Sequence, residues 1–156
     1  RSATPSATPG PSAAARKGKT ISDPAYPPLS PYLMVKHGPE ALDWYARAFG
    51  AEVVERYDME DGRLGHATLS LNGGSLMLSD EFPEMAEITG TASPETLGGT
   101  TSSVNLSVDD VDRWFGRAIE AGATALRPPA DEFYGRHGKL RDPYGHVWSI
   151  IGPSKG

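Results

Sequence analysis

Apolar and polar positions change period repeatedly along this chain, and the changes mark out two copies of one unit. From Tyr32 to Lys36 the pattern suits a strand, and Gly38-Pro39 then opens a helix, with proline at a first-turn position where its missing N–H costs little. Ala41, Leu42, Tyr45, Ala48 and Phe49 recur at helical spacing, and Gly50 stands where a helix-ending glycine belongs. Strands follow at about 52–58, 65–71 and 75–80, broken by the turn signals Asp61-Gly62 and Asn72-Gly73. The second copy begins with a strand at 103–108 and continues with a helix from Val111 to Ala121. Its stripe is Val111, Trp114, Phe115, Ala118 and Ile119, and Asp109 or Asp110 is the N-cap. Strands at 124–127, 138–141 and 146–151 complete it, Pro128-Pro129 ending the first and Asp142-Pro143-Tyr144-Gly145 joining the last two. Val35 and Val108 are 73 residues apart, and Gly50 and Gly122 are 72 apart. That period is too long for a solenoid unit. It predicts an α+β fold of two tandem βαβββ modules, the first at about 30–80 and the second at about 101–152, with a lid or connector at 81–100.

Alternation within the strands separates two faces. Ala67, Leu69, Leu71, Leu76, Leu78, Val104, Leu106, Val108, Trp148 and Ile150 must pack beneath the helices. The opposite face holds His66, Thr68, Ser70, Ser75, Met77, Ser79, Ser103, Asn105, Ser107, Val147, Ser149 and Ile151. None of these is Lys, Arg, Asp or Glu, whereas a freely solvated sheet face normally carries such residues. The set suits the wall of a concave ligand pocket. A wet sheet face, or an interface buried in a dimer, are the other readings.

Composition narrows the picture further. Residues 1–29 are rich in Ala, Pro, Ser, Thr and Gly, hold six of the fourteen prolines, and read as a disordered tail. The tail carries +3, so the chain's −5 leaves −8 on the residues from Ser30 onward. A domain that acidic is a poor partner for nucleic acid or anionic membrane. The absence of cysteine excludes disulfides, thiolate chemistry and Cys-bound zinc. There is no apolar run of transmembrane length and no signal-peptide pattern, and a cytoplasmic location is expected.

The segments Gly65-His66-Ala67-Thr68-Leu69, Leu76 to Glu84, Leu97-Gly98-Gly99-Thr100, Val108 to Asp112, Phe133 to Arg136 and Asp142 to Trp148 occur in an order and spacing that resembles the vicinal oxygen chelate superfamily. Together they look like the PhnB-like branch of the glyoxalase/bleomycin-resistance proteins. The resemblance covers nearly everything from Ser30 to Gly152. It implies that the modules curve into a U-shaped, half-barrel sheet around a central site. It also implies a homodimer whose sites draw on both modules. Enzymes of this family hold a divalent metal with one His, Gln or Glu on each of four strands. Those positions fall here on Ser30, Met77, Ser103 and Ser149, none of which suits such an ion. No metal and no other cofactor is therefore expected.

His66 is the one titratable group in the polar set, a candidate base or hydrogen-bond donor. His146 is read as a buttress of the last hairpin, His37 as exposed, and His137 as near the mouth. Tyr134 and Arg136 stand where related proteins place an aromatic and an arginine at the cavity rim. The alternative packs Tyr134 on Pro128-Pro129 and ties Arg136 to Asp131 or Glu132. Trp114 and Trp148 are packing groups, and Trp44 lies off the main stripe, exposed or at an interface. No phosphate loop or nucleophile elbow is present. The expected ligand-binding set is His66, Thr68, Met77, Ser103, Asn105, Tyr134, Arg136 and Ser149. The function expected is metal-free binding of a small organic ligand, an antibiotic or a metabolite. The alternatives are a glyoxalase-type lyase or isomerase using His66 or an atypically held metal, and an interaction module whose concave face a partner fills.

Overall fold

A computed structural model of the chain describes residues 27–156. The tail expected at 1–29 lies outside the described residues except for Pro27, Pro28 and Leu29. Module one comprises β1 (Tyr32–Val35), α1 (Gly38–Phe49), β2 (Glu52–Asp58), β3 (Leu64–Leu71) and β4 (Gly74–Asp80). Module two comprises β5 (Ser103–Ser107), α4 (Val111–Glu120), β6 (Thr124–Glu132), β7 (Gly135–Arg141) and β8 (Val147–Gly152). Each module makes a four-stranded mixed sheet, ordered β1-β4-β3-β2 in one and β5-β8-β7-β6 in the other. In both, the first and last strands pair in parallel and the remaining pairs are antiparallel. The α+β fold of tandem βαβββ modules is thus present, as two separate sheets and no closed barrel.

One core serves both modules. Tyr45 and Phe49 of α1 lie against Trp148 of β8, with ring centroids 5.6 and 4.7 Å apart. Trp148, Tyr45 and Phe49 are almost wholly buried, as are Leu69, Leu78, Leu140 and Ile150. The helices are joined end to end as well. Arg117 Nε donates to Arg47 O at 2.7 Å, and Trp44 Nε1 donates to Ala121 O at 2.8 Å. Trp44 is therefore a buried seam residue, 2% exposed. It lies off the apolar stripe because it faces the other module rather than its own sheet.

Three boundaries differ from the sequence pattern. β6 runs through Pro128-Pro129 to Glu132 instead of ending at Arg127. It is an edge strand with register shifts around Arg127, so a missing proline N–H breaks no ladder on its outer side. β7 starts at Gly135, at φ 137°, which places Arg136 inside the strand. The segment after β4 is not one loop: it holds a 3-10 turn (Pro83–Met85), α2 (Ala86–Thr89) and α3 (Pro94–Leu97). Among the described residues no helix is long and apolar enough to cross a membrane.

Candidate functional site

Residues paired across neighbouring strands share a sheet face, so register assembles the helix-free face of each module. In module one Tyr32, Met77, Thr68 and Glu55 form one continuous row. In module two the corresponding row is Asn105, Ser149, Lys139 and Arg127. On this face β3, β4, β5 and β8 carry no Lys, Arg, Asp or Glu, as expected, but β2 adds a carboxylate to one module and β6 and β7 add cations to the other.

The polar centre of module one is built around His66. Its Nδ1 is 2.9 Å from Tyr32 Oη, and its Nε2 is 3.0 Å from Thr68 Oγ1 and 3.2 Å from Glu55 Oε1. Glu55 is 7% exposed, and His66 is its only ion-pair partner among the described residues. A cavity of about 470 Å³ opens here, lined by Glu55, Thr68, Ser70, Ser75, Val54 and Leu29 among others. Ser75 Oγ in its wall is buried without a hydrogen-bond partner among the described residues. Thr68, Met77 and Ser79 on this face are also buried.

Module two presents a different surface. Ser103, Asn105 and Ser107 are exposed on β5, and Ser149 on β8 is buried. Asn105 lines a cleft of about 210 Å³ between the modules, which it shares with Gly74 and Ser75 of the first cavity's wall. Structure therefore places Thr68 in the cavity wall, with His66 against Thr68 and Glu55 behind it and Met77 beside Thr68 in register. It sets Asn105 at the seam and leaves Ser103 and Ser149 on the second sheet.

Tyr134 and Arg136 join neither group. Tyr134 Oη meets His137 Nδ1 at 2.6 Å in the β6–β7 turn. Arg136 donates to Asp112 Oδ1 at 3.0 Å, to Asp131 Oδ1 at 3.1 Å and to Pro129 O. Its guanidinium ties β7 to Asp131 of β6, one of the two acids expected as the alternative, and also clasps Asp112 at the start of α4, which was not expected. The Asp112 carboxyl is held below its usual range by Lys155 and by Arg136, against partial burial. Burial, aided by Arg127 and Lys139, pushes the His137 imidazole below its ordinary value. His37 is exposed, at φ 61° where α1 begins. His146 Nε2 donates to Met34 O at 2.7 Å and fastens the last hairpin to β1.

Glu55 and Tyr32 escaped the sequence reading. Strand two shows no clean alternation because register slips between Val53 and Glu55, leaving Val53 and Val54 both exposed. Tyr32 carried a signal, since it shares parity with Met34 and faces Met77.

The four positions where the family's enzymes place metal ligands supply three hydroxyls and a thioether. Ser30 and Met77 belong to module one, and Ser103 and Ser149 to module two. Neutral hydroxyls and a thioether do not make a site for a hard or borderline divalent ion, so these residues do not fit the metal. Among the described residues no other group of three or more His, Cys, Asp or Glu is placed to hold one.

With this geometry, residues 29–150 match the model of the Glyoxalase/Bleomycin resistance protein/Dioxygenase superfamily, and the chain belongs to that superfamily. Within it, the chain is 40% identical over 139 residues to the uncharacterized protein Rv0887c of Mycobacterium tuberculosis, covering 88% of this chain and 81% of that one. Among solved structures it is similar to TioX from Micromonospora sp. ML1, at 29% identity and a TM-score of 0.63 over 80% of this chain and 96% of the other. It also shares the fold of the PhnB protein from Bacillus cereus, at 22% identity and a TM-score of 0.59 over 81% and 99% of the two chains.

Proposed function

We propose that this chain binds a small organic molecule, an antibiotic or a metabolite, on the helix-free face of module one and without the metal of its enzymatic relatives. The observation that carries this reading is the 470 Å³ cavity with a buried carboxylate, a histidine and a buried serine hydroxyl that has no partner among the described residues, in or beside its wall. A buried polar atom left without a partner is rare in folded proteins and is well suited to a ligand's polar group. Small-molecule binding and dimer formation are typical of the superfamily. A homodimer belongs to this reading, because it would cover the exposed, uncharged edge of β5 and bring Ser103, Asn105 and Ser149 toward a site.

The test is a thermal-shift screen of aromatic, glycopeptide and polyketide compounds, with elemental analysis of the purified protein. A ligand should raise the melting temperature by mass action. Ser70→Trp, at an exposed position in the cavity wall, should remove that gain without lowering the melting temperature of the free protein. A hit that stabilises Ser70→Trp as strongly as the parent excludes this cavity, and about one tightly bound transition metal per chain excludes the metal-free reading.

A second reading, a lyase or isomerase with His66 as general base, is favoured by the Glu55 contact. A carboxylate beside an imidazole orients it and stabilises its protonated form. His66→Ala would then abolish turnover of a bound compound while leaving it bound.

A further inference from the structure

A second cavity, of about 810 Å³, lies between β1 and the segment that follows β4. No residue lines both this cavity and the first. Its outer wall is braced and is not a free loop. Glu81, just after β4, accepts from Ser93 N at 2.8 Å and from Thr96 Oγ1 at 2.6 Å. Ser93 is wholly buried and caps α3, its hydroxyl accepting from Thr96 N. Pro94 is buried against Gly145 of the last hairpin, where an added Cβ would come within 2.6 Å of the Pro94 ring. α3 is thus seated on both modules, and the wall it forms is held from two sides.

The two cavities differ in charge. Glu55 stands in the wall of the first, whereas the second has no Asp, Glu, Lys or Arg in its lining. The one ionisable imidazole there, His146, is 8% exposed and has Nε2 committed to Met34 O. An ion entering such a space gives up water and gains no counter-charge, which is costly even where hydroxyls offset part of the loss. Apolar surface comes from Met34, Pro94 and Leu97, the last 67% exposed. Beside it stand the hydroxyls of Thr100, Thr101 and Ser102, and Thr100 Oγ1 makes only long contacts, 3.4 Å, within its own loop. Single exposed apolar side chains on a convex surface are ordinary. Apolar surface in a concavity of this size, with a few hydrogen-bonding groups at hand, is the make-up of a small-molecule site.

We infer that this cavity is a second binding site, for an uncharged, largely apolar molecule bearing a hydroxyl or carbonyl, and that it turns away the ionised analogues of that molecule. The site is independent of the first cavity and of any ligand bound there.

The test uses three naphthalenes of nearly equal size, carrying a hydroxymethyl, a carboxylate or an ammoniomethyl group at the same ring position. They are titrated against the full chain by ligand-observed NMR at about pH 8, where an imidazole of ordinary pKa carries little charge. The parent should bind the alcohol saturably and prefer it to either ion by about tenfold, the order expected for a partly desolvated, unpaired charge. Thr101→Trp, at an exposed lining position, should block the alcohol. Thr101→Lys should bring the carboxylate to at least the affinity of the alcohol, because it supplies the missing counter-charge. Ser70→Trp, in the wall of the first cavity, should leave binding of the alcohol unchanged. Equal affinities for the three probes in the parent, no binding of the alcohol at millimolar concentration, or no gain for the carboxylate in Thr101→Lys overturns the inference. Loss of the alcohol in Ser70→Trp with retention in Thr101→Trp overturns it too, and places the probe in the first cavity instead.

Discussion

Module one turns from β3 to β4 through two residues, Asn72 and Gly73, while module two takes five, Asp142 to His146, between β7 and β8. Asn72 and Gly73 both have positive φ, 50° and 78°, the conformation a tight two-residue hairpin requires. The longer turn plants a carboxylate in the core. Asp142, 3% exposed, accepts from Tyr144 N and His146 N on one oxygen and from Tyr45 Oη and Trp148 Nε1 on the other. Module one has its own buried carboxylate, Asp80, which accepts from Gly38 N and Leu64 N, each at 2.7 Å. Asp80 ties a module to itself, whereas Asp142 reaches α1 of the other module. The faces diverge in the same way: Thr68 and Glu55 of module one correspond in register to Lys139 and Arg127 of module two. One architecture, used twice, thus yields a pocket with a buried acid and an open surface with cations. The packing side is constrained by the shared core, and the other side is free to differ.

The contrast between the two carboxylates is the first to break. Asp142→Ala leaves four donors without an acceptor, two of them on buried aromatic side chains, and should cost about 3–5 kcal/mol. Asp80→Ala orphans two backbone N–H groups and should cost about 2–3 kcal/mol. Urea unfolding monitored by tryptophan fluorescence measures both. Equal losses would show that the link between modules adds nothing beyond a local cap.

Tryptophan packing sharpens the same point. Trp148→Ala removes a wholly buried ring from the seam between modules and should cost about 3–5 kcal/mol. Trp114, which the stripe on α4 made a core residue, is only half-buried. Its truncation should cost about 1–2 kcal/mol, and the difference can be read from the same unfolding curves.

Alkaline pH probes the Asp142 hub without mutation. Burial, then the Asp142 charge and hydrogen bond, raise the Tyr45 pKa well above its ordinary value, and burial does the same to Tyr144. A group raised on folding contributes stability that is complete below its unfolded pKa of about 10 and is lost as pH climbs toward the folded value. Stability should therefore fall above about pH 10, with phenolate absorbance from these two residues appearing only as the chain unfolds. Early ionisation of all the tyrosines in a still-folded protein would contradict this.

The smallest expected change in stability is at the faces. Asn105→Trp on exposed β5 should leave the melting temperature of the free protein within a degree or so. If the face of module two joins the site in a dimer, this variant should lose ligand-induced stabilisation and shift to a smaller species in light scattering. Unchanged ligand response and mass would restrict the site to module one.

The module repeat, the two helix stripes, the Asn72-Gly73 hairpin and the inward set from Ala67 to Ile150 were legible in the amino-acid sequence. These are local, periodic signals, and a period of two or 3.6 residues survives whatever surrounds it. The same sequence carried His66 and Thr68 as polar residues on the face opposite the core, and the absence of metal-ligating side chains from the four family positions. The remaining features came from the way the elements pack together. A register slip in β2 turned Glu55 onto the His66 face and hid it from strand parity. Trp44 looked misplaced until α4 arrived beside it. Arg136 became a clasp on Asp112 because β7 begins three residues before its apparent start, within reach of α4. Each of these depends on which strand or helix lies alongside, and that is set by contacts between residues far apart in the chain, to which no local period refers.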